Sequence, residues 1–312
     1  MSRLDVRERV CLRPLTTLRI GGDAEHLVEC CSADELAAAA QLQFDRRTVL
    51  GSGSNVLPSD AGVPGLVVLN RAQRIAVAQT GEVVAETGAM LQELFLKTAQ
   101  AGLQGLEFAV GIPGTVGGAL VSNAGAYRSC VSEYLTGIEI ADGTKREWVD
   151  PSWMQFSYRD SLLRRPAPPA VVMLRVSLKL PPGDPKSIFD SAREFQRQRI
   201  SKQPPGPSAG SFFKNVNDRE LADRLAGLPG PLRLAGVVPA GYLIEAVGLK
   251  GHRVGGAMLG VRHANFILNV GGASASDVRR LATRAKAKVL AEFGTELEEE
   301  VLYIGDWSGF SP

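Results

Sequence analysis

Apolar residues recur along this chain in two periods. The continuous runs Thr48-Val-Leu50 and Gly65-Leu-Val-Val-Leu69 predict short buried strands. Ahead of them, Ser32-Ala-Asp-Glu35 has the spacing of a capping box and predicts an alanine-rich helix to about Leu42. The segment therefore alternates strand and helix. A second unit starts near Ala72, with a strand at Glu82-Val-Val-Ala-Glu86 and a helix from Met90. Gly102 can end that helix by taking the left-handed conformation. Further strands are predicted at 136–141 and 171–178, and Pro181-Pro182 marks a break.

Beyond that break, 188–200 carries dense charge at helical spacing. Gln203-Pro-Pro-Gly-Pro-Ser-Ala-Gly210 reads as a loop, since its prolines cannot continue a helix. The stretch 254–269 looks like glycine-broken strands. A last long helix is predicted over 276–293, with Ser274 or Ser276 as cap, Asp277 near its positive end and Gly294 just past its end.

At 312 residues the chain has material for two or three domains around a shared ligand cleft. Lys and Arg exceed Asp and Glu by only 2, which argues neither for nucleic acid nor for an acidic membrane, and no basic stripe with interleaved aromatics appears. The opening residues are charged and no run reaches the roughly 18 apolar residues of a membrane span, so a cytoplasmic location is expected. Cys11, Cys30, Cys31 and Cys130 include a vicinal pair but no CxxC spacing, which suits reduced thiols better than disulfides or zinc ligands. His26, His252 and His263 are scattered, and no metal is expected.

The run Gly111-Ile-Pro-Gly-Thr-Val-Gly-Gly-Ala-Leu-Val-Ser-Asn-Ala-Gly-Ala-Tyr127 adds candidate chemistry. Its side chains are too small to form a core, and its glycines leave main-chain N–H groups open to an anion such as a nucleotide phosphate. The same composition fits a loop followed by a small-residue helix packed tightly on a sheet. No GxxxxGK followed by Ser or Thr exists, and Gly51-x-Gly53 lacks the third glycine and acidic follower of a dinucleotide fold. Phosphates would instead meet backbone donors of Gly51-Ser-Gly-Ser-Asn55 and of 111–118, with Ser52, Ser54, Asn55 and Thr115 adding side-chain hydrogen bonds.

In Gly210-Ser-Phe-Phe-Lys-Asn215, extended alternation would put Ser211, Phe213 and Asn215 on one side and Phe212 and Lys214 on the other. Taken alone, this is more simply an aromatic-anchored strand than a site. Phe156-Ser-Tyr-Arg-Asp-Ser161 reads as a turn, and the acidic residues of 296–300 as a solvated end.

Together these motifs resemble the UDP-N-acetylenolpyruvoylglucosamine reductase family, flavoenzymes that complete UDP-N-acetylmuramic acid for bacterial peptidoglycan. The resemblance runs through Thr17-Leu-Arg-Ile-Gly-Gly22, Leu50-Gly-Ser-Gly-Ser-Asn-Val-Leu57, the glycine-rich run, Tyr158-Arg-Asp-Ser161 and Gly210 to Asn215. It continues through Gly241-Tyr-Leu-Ile-Glu245, Gly248-Leu-Lys-Gly251, His263-Ala-Asn-Phe266 with Asn269, and Glu300-Val301. The shorter, type II form matches best, because little room lies between Tyr127 and Tyr158 for the insertion that carries an extra substrate-binding tyrosine. Val216 stands where the family usually has proline, Leu302 where arginine is common, and Tyr242 where tryptophan is frequent.

The resemblance implies an α+β fold. A two-part (PCMH/VAO-like) FAD-binding region would occupy 1–70 and 71–182, and an α+β substrate-binding domain 183–299, with a strand in 300–312 packing back on the first part. It implies FAD held by Gly51, Ser52, Gly53, Ser54 and Asn55 and by Gly111, Gly114, Thr115, Gly117 and Gly118. NADPH would be the hydride donor and UDP-N-acetylglucosamine enolpyruvate the substrate, in a monomer with no nucleic-acid or membrane partner.

Hydride addition at C3 of the substrate generates an enolate-like charge that must be stabilised before C2 takes a proton. Arg159 matches the family's charge-stabilising arginine. Glu300 matches the glutamate that works with it when protonated, which implies a raised pKa; Glu296, Glu298 and Glu299 are the alternatives in the run. Ser211 matches the proton donor to carbon, and Tyr158, Lys214 and Asn215 match contacts to the substrate's phosphates or carboxylate. Two other classes compete: an oxygen-using FAD-linked oxidase, which leaves Arg159, Ser211 and Glu300 without a joint task, and a nucleotide-binding module in which they are structural.

Overall fold

The computed structural model describes residues 4–312. The chain forms two compact units. One holds the residues up to Val10, Ala24–Gly53 and Val63–Ser201; the other holds Cys11–Asp23, Ser54–Gly62 and Lys202–Pro312.

In the first unit the strands Asp23–Cys30, Val63–Asn70 and Arg47–Leu50 are parallel neighbours, with Val6–Cys11 at the far edge. Leu66, Val67, Val68 and Leu69 are all buried, as the unbroken apolar run requires of a central parallel strand covered on both faces. Helix Ala33–Ala40 packs Leu36, Ala37 and Ala40 into one core with Val28, Leu66 and Val68. Ser32 caps it by accepting from the Glu35 N–H. The Glu35 carboxylate, however, accepts from the Cys31 N–H at 2.6 Å, so the reciprocal bond of the capping box is shifted by one residue.

A second, antiparallel sheet has the order Lys145–Val149, Leu135–Asp142, Val172–Lys179, Glu82–Glu86, Ile75–Val77. Its three central members are the strands expected at 136–141, 171–178 and 82–86. Helix Leu91–Gln100 ends where the sequence places its stop: Gly102 has φ +71°, and the Leu103 N–H closes on the Thr98 carbonyl at 2.9 Å.

The second unit is built on the antiparallel sheet Ser208–Ser211, Phe266–Asn269, Ala257–Leu259, Arg253–Val254. Helix Ala275–Phe293 shares its core through Val278, Leu281, Ala282, Ala285 and Val289. Ser274 and Asp277 form its capping box and Gly294 ends it at φ +69°. The Asp60 carboxylate accepts from the N–H groups of Ala275 and Ser276 at 2.7 and 2.8 Å.

Three expectations need correction. The first unit does not stop at 182 but runs to Ser201, because Ile188 and Ala192 of helix Pro185–Lys202 are buried in its core. Segments 11–23 and 54–62 leave the expected first part. Leu18, Ile20 and Leu57 lie in the core of the second unit, and Val56–Pro58 pairs in parallel with Leu302–Ile304. The loop expected to Gly210 gives way to a strand at Ser208, and the alternation beyond it fails: Phe212 and Phe213 are both only 1% exposed. The named strand ends at Ser211, and 212–214 run on between Asn265 and 298–300, hydrogen-bonded along both edges, while Phe212 and Phe213 both enter the core of the second unit.

Candidate active site

In the first unit Gly51 directly follows strand Arg47–Leu50, its carbonyl accepting from Arg71 Nη1 at 3.0 Å. Ser52 Oγ lies 3.4 Å from Met90 Sδ, and Gly53 has φ +62°. Thr115 packs on Gly51 so closely that a Cβ there would lie 2.4 Å from Thr115 Oγ1. That same oxygen caps helix Val116–Val121 by accepting from the Gly118 N–H at 3.2 Å. Gly117 donates to the Thr87 carbonyl at 2.8 Å, and Val116 to that of Ala89.

The glycine-rich run is therefore the tightly packed small-residue helix that its composition allowed, and the amides of Val116, Gly117 and Gly118 are spent on the fold. Those of Gly114 and Thr115 make no hydrogen bond within the described residues, and Gly111 and Gly114 have φ +70° and +139°. The donor set expected over 111–118 narrows to this N-terminal turn, beside 51–53. These unspent amides, next to a loop that excludes side chains, fit the phosphates of a flavin nucleotide.

Arg159 sits on a tight turn in which Ser157 N donates to the Asp160 carbonyl at 3.1 Å and Asp160 N to that of Ser157 at 3.3 Å. Its φ is +54°, unusual for a side-chain-bearing residue. The guanidinium donates to Asn123 O at 3.1 Å and to Gly125 O, with the half-exposed Tyr158 ring 5.4 Å from its Cζ. Asn123 Nδ2 donates to Ser157 O at 2.9 Å. The arginine is thus buttressed on the end of the glycine-rich run.

In the second unit Ser211 stands opposite Phe266 at the end of its strand, and its Oγ makes no hydrogen bond within the described residues. Phe212 N donates to Asn265 O at 2.7 Å and Phe213 N to Asn265 Oδ1 at 2.9 Å. On the other side, Glu300 N donates to Phe212 O at 2.8 Å and Lys214 N to Glu298 O at 2.9 Å. Ser211 and Glu300 therefore occupy adjoining positions on neighbouring segments. Asn55 Nδ2 donates to Glu300 O at 3.1 Å, and Leu302 N to Asn55 O at 3.0 Å, so Asn55 braces the glutamate-bearing segment.

Of the alternative glutamates, Glu298 pairs with the buried Lys214 and Glu299 with Lys286 at 2.9 Å, while Glu296 is exposed. Burial, then Glu299, pushes the Tyr303 hydroxyl pKa upward. Asn215 Oδ1 accepts from Ala240 N at 3.3 Å, at the start of helix Ala240–Ala246.

Arg159, Tyr158 and the glycines thus belong to the first unit, and Ser54, Asn55, Ser211, Lys214, Asn215 and Glu300 to the second. His263 packs against Gly241, and its pKa is held below 6.5 by burial and by the charges of Lys202 and Lys250.

Two family models match the chain: an FAD binding domain over residues 24–147, and the C-terminal domain of UDP-N-acetylenolpyruvoylglucosamine reductase over 199–304. With the glycine-lined cradle, they define a flavin-dependent oxidoreductase of α+β architecture. The chain is 40% identical to the UDP-N-acetylenolpyruvoylglucosamine reductase of a Synechococcus species, covering 97% of this chain and 92% of that one. It is also 40% identical to the enzyme of that name from Rubrobacter xylanophilus, covering 95% and 94%. The crystal structure of the Thermus caldophilus reductase is 35% identical, with a TM-score of 0.78, covering 97% of this chain and all of that one. The chain belongs to the UDP-N-acetylenolpyruvoylglucosamine reductase family.

Proposed function

We propose that the chain reduces UDP-N-acetyl-3-O-(1-carboxyvinyl)-glucosamine to UDP-N-acetylmuramate, with NADPH as donor and FAD as carrier, in peptidoglycan precursor synthesis. The observation that carries this reading is the relation to reductases of that name over nearly the whole chain; the roles given below to Arg159, Ser211 and Glu300 rest on the motifs in which they stand. The chain would act as a cytoplasmic monomer without nucleic-acid or membrane partners. Among the described residues no helix is long and apolar enough to cross a membrane.

Bound FAD would supply reversible hydride uptake, and Gly51, Ser52, Gly53, Gly111, Gly114 and Thr115 would hold it, with Gly117 and Gly118 contributing their lack of a side chain rather than their spent amides. Arg159 holds the substrate carboxylate. As C3 gains a hydride, negative charge grows on the carboxylate oxygens, and the planar guanidinium answers it with parallel N–H donors. Glu300, in its acid form, adds a hydrogen bond to the same developing charge. Hydride addition makes the C2–C3 bond single and leaves its electron pair in the enolate; C2 then takes the Ser211 hydroxyl proton, and water returns a proton to the serine.

Tyr158, Lys214 and Asn215 bind the phosphates or carboxylate. Lys214 reaches an anion by exchanging it for the mostly exposed Glu298 carboxylate.

Anaerobic visible absorption of the FAD-loaded protein tests the proposal. The flavin band is expected to bleach with NADPH and to recover on adding the enolpyruvyl substrate. Bleaching that recovers only with oxygen would point to the oxidase class, and failure to take up FAD would remove the enzyme reading.

A further inference from the structure

Three of the eight described non-glycine residues with positive φ fall within six positions: Asn123 at +41°, Tyr127 at +55° and Arg128 at +67°. Such backbone persists where its surroundings over-determine it, and it clusters at functional sites. Arg159 holds the near end of this segment through Asn123 O and Gly125 O. The far end is held from helix Pro185–Lys202. Tyr127 lies flat on Phe195, ring centroids 3.9 Å apart and planes 7° from parallel, and its hydroxyl donates to Phe195 O at 3.0 Å. One turn further on, Arg199 places its Cζ 5.6 Å from the Tyr127 ring centroid and donates from Nη2 to Phe108 O at 3.1 Å. Its Cδ would be 3.2 Å from a Cβ on Gly111, so it also touches the loop that opens the glycine-rich run.

Arg199 forms no ion pair within the described residues, and its Nε is buried without a partner. Burial and the like charge of Arg159 hold its pKa below the usual arginine range. A guanidinium kept at that desolvation cost, with no carboxylate beside it, is not explained by charge pairing.

We infer that Arg199 is a positioning residue for Arg159: by clamping Tyr127 it fixes the strained Asn123-to-Arg128 segment, and with it the carbonyl groups that aim the Arg159 guanidinium. Gly125, whose carbonyl Arg159 grips, lies two residues from Tyr127 and starts the short hairpin with Ser129–Cys130, so a rotation at Tyr127 is transmitted directly to it. The inference rests on the proposed role of Arg159 toward the substrate carboxylate.

Stopped-flow absorption on FAD-loaded Arg199→Met, Arg199→Lys and Phe195→Leu tests it. In Arg199→Met, flavin reduction by NADPH is expected to stay within about twofold of the parent. Reoxidation by the enolpyruvyl substrate is expected to slow by about 10- to 100-fold, mainly in the saturating rate rather than the half-saturating concentration. Arg199→Lys keeps the charge but loses the fork and the stacked plane, so it is expected to recover little. Phe195→Leu removes the stack while leaving Arg199, and should slow the same half-reaction; it also serves if the Arg199 variants fail to fold. Parental reoxidation in Arg199→Met or Phe195→Leu, equal loss in both half-reactions, or full rescue by lysine would overturn the clamp. A parent protein that shows no substrate-driven reoxidation would instead sink the functional reading beneath it.

Discussion

Replacing Gly51 by alanine isolates the packing that shapes the proposed flavin cradle. Gly51 does not have positive φ, so the added methyl strains no backbone; the whole effect comes from its contact with Thr115. The new Cβ would lie 2.4 Å from Thr115 Oγ1 and 3.0 Å from Cγ2, against an ordinary contact of 3.4–4 Å. Thr115 is only 3% exposed and cannot swing into solvent. Turning it aside breaks the cap on Gly118, worth about 1 kcal/mol, and overpacking adds about 1–3 kcal/mol. Gly51→Ala should therefore cost roughly 2–4 kcal/mol, or roughly 5–15 °C in melting temperature for a unit of this size. Thermal and urea denaturation of FAD-free protein measure it. Thr115→Ala alone should cost about 1 kcal/mol. Because it removes the two colliding atoms, the double variant should be more stable than the sum of the single costs by about 1–2 kcal/mol. Strictly additive costs would refute the argument that Gly51 is required by Thr115.

Three other outcomes are expected. Ser211→Ala should leave flavin reduction by NADPH intact and slow reoxidation by substrate; unchanged reoxidation in rapid-mixing traces would remove Ser211 as the proton donor. Burial, then the negative charges of Glu35, Cys31 and Glu29, raises the Cys30 thiol to about 12. Iodoacetamide at mildly alkaline pH should accordingly modify the exposed Cys11 and Cys31 while sparing Cys30 until denaturation, and native labelling of Cys30 seen by peptide mass spectrometry would contradict its burial. His263 has its folded pKa below 6.5, so protons bind the unfolded chain more readily. Its contribution is complete above about pH 6.5 and is lost as pH falls from there through the folded value. His263→Gln should flatten the acid limb of the melting-temperature profile, and an unchanged limb would show that another group sets it.

Local signals were legible wherever the physics is local. Ser274, Asp277 and Gly294 mark the ends of helix Ala275–Phe293 because capping needs only residues three or four apart. Glu82–Glu86 was legible because its apolar run and the flanking turn lie within a few residues. The order of motifs likewise pointed to the family, and the family relation followed.

What sequence could not supply was which distant segments cover a given face. Phe212 and Phe213 are adjacent yet both buried, because the core they enter is assembled from separate parts of the chain. Helix Pro185–Lys202 reads as a solvated, charge-dense helix. Only folding brings its Ile188 into the first unit's core and its Arg199 onto Tyr127. The glycines at 51, 117 and 118 announced a close approach, but the tertiary structure decided that Thr87 and Thr115 take up much of that space and several of those amides, leaving the turn at Gly114 and Thr115 for a ligand. Backbone propensity and capping are settled within a turn or two of chain, so sequence determines them. Burial and the aim of a side chain depend on contacts between segments far apart in sequence, and those exist only once the sheets and helices have packed.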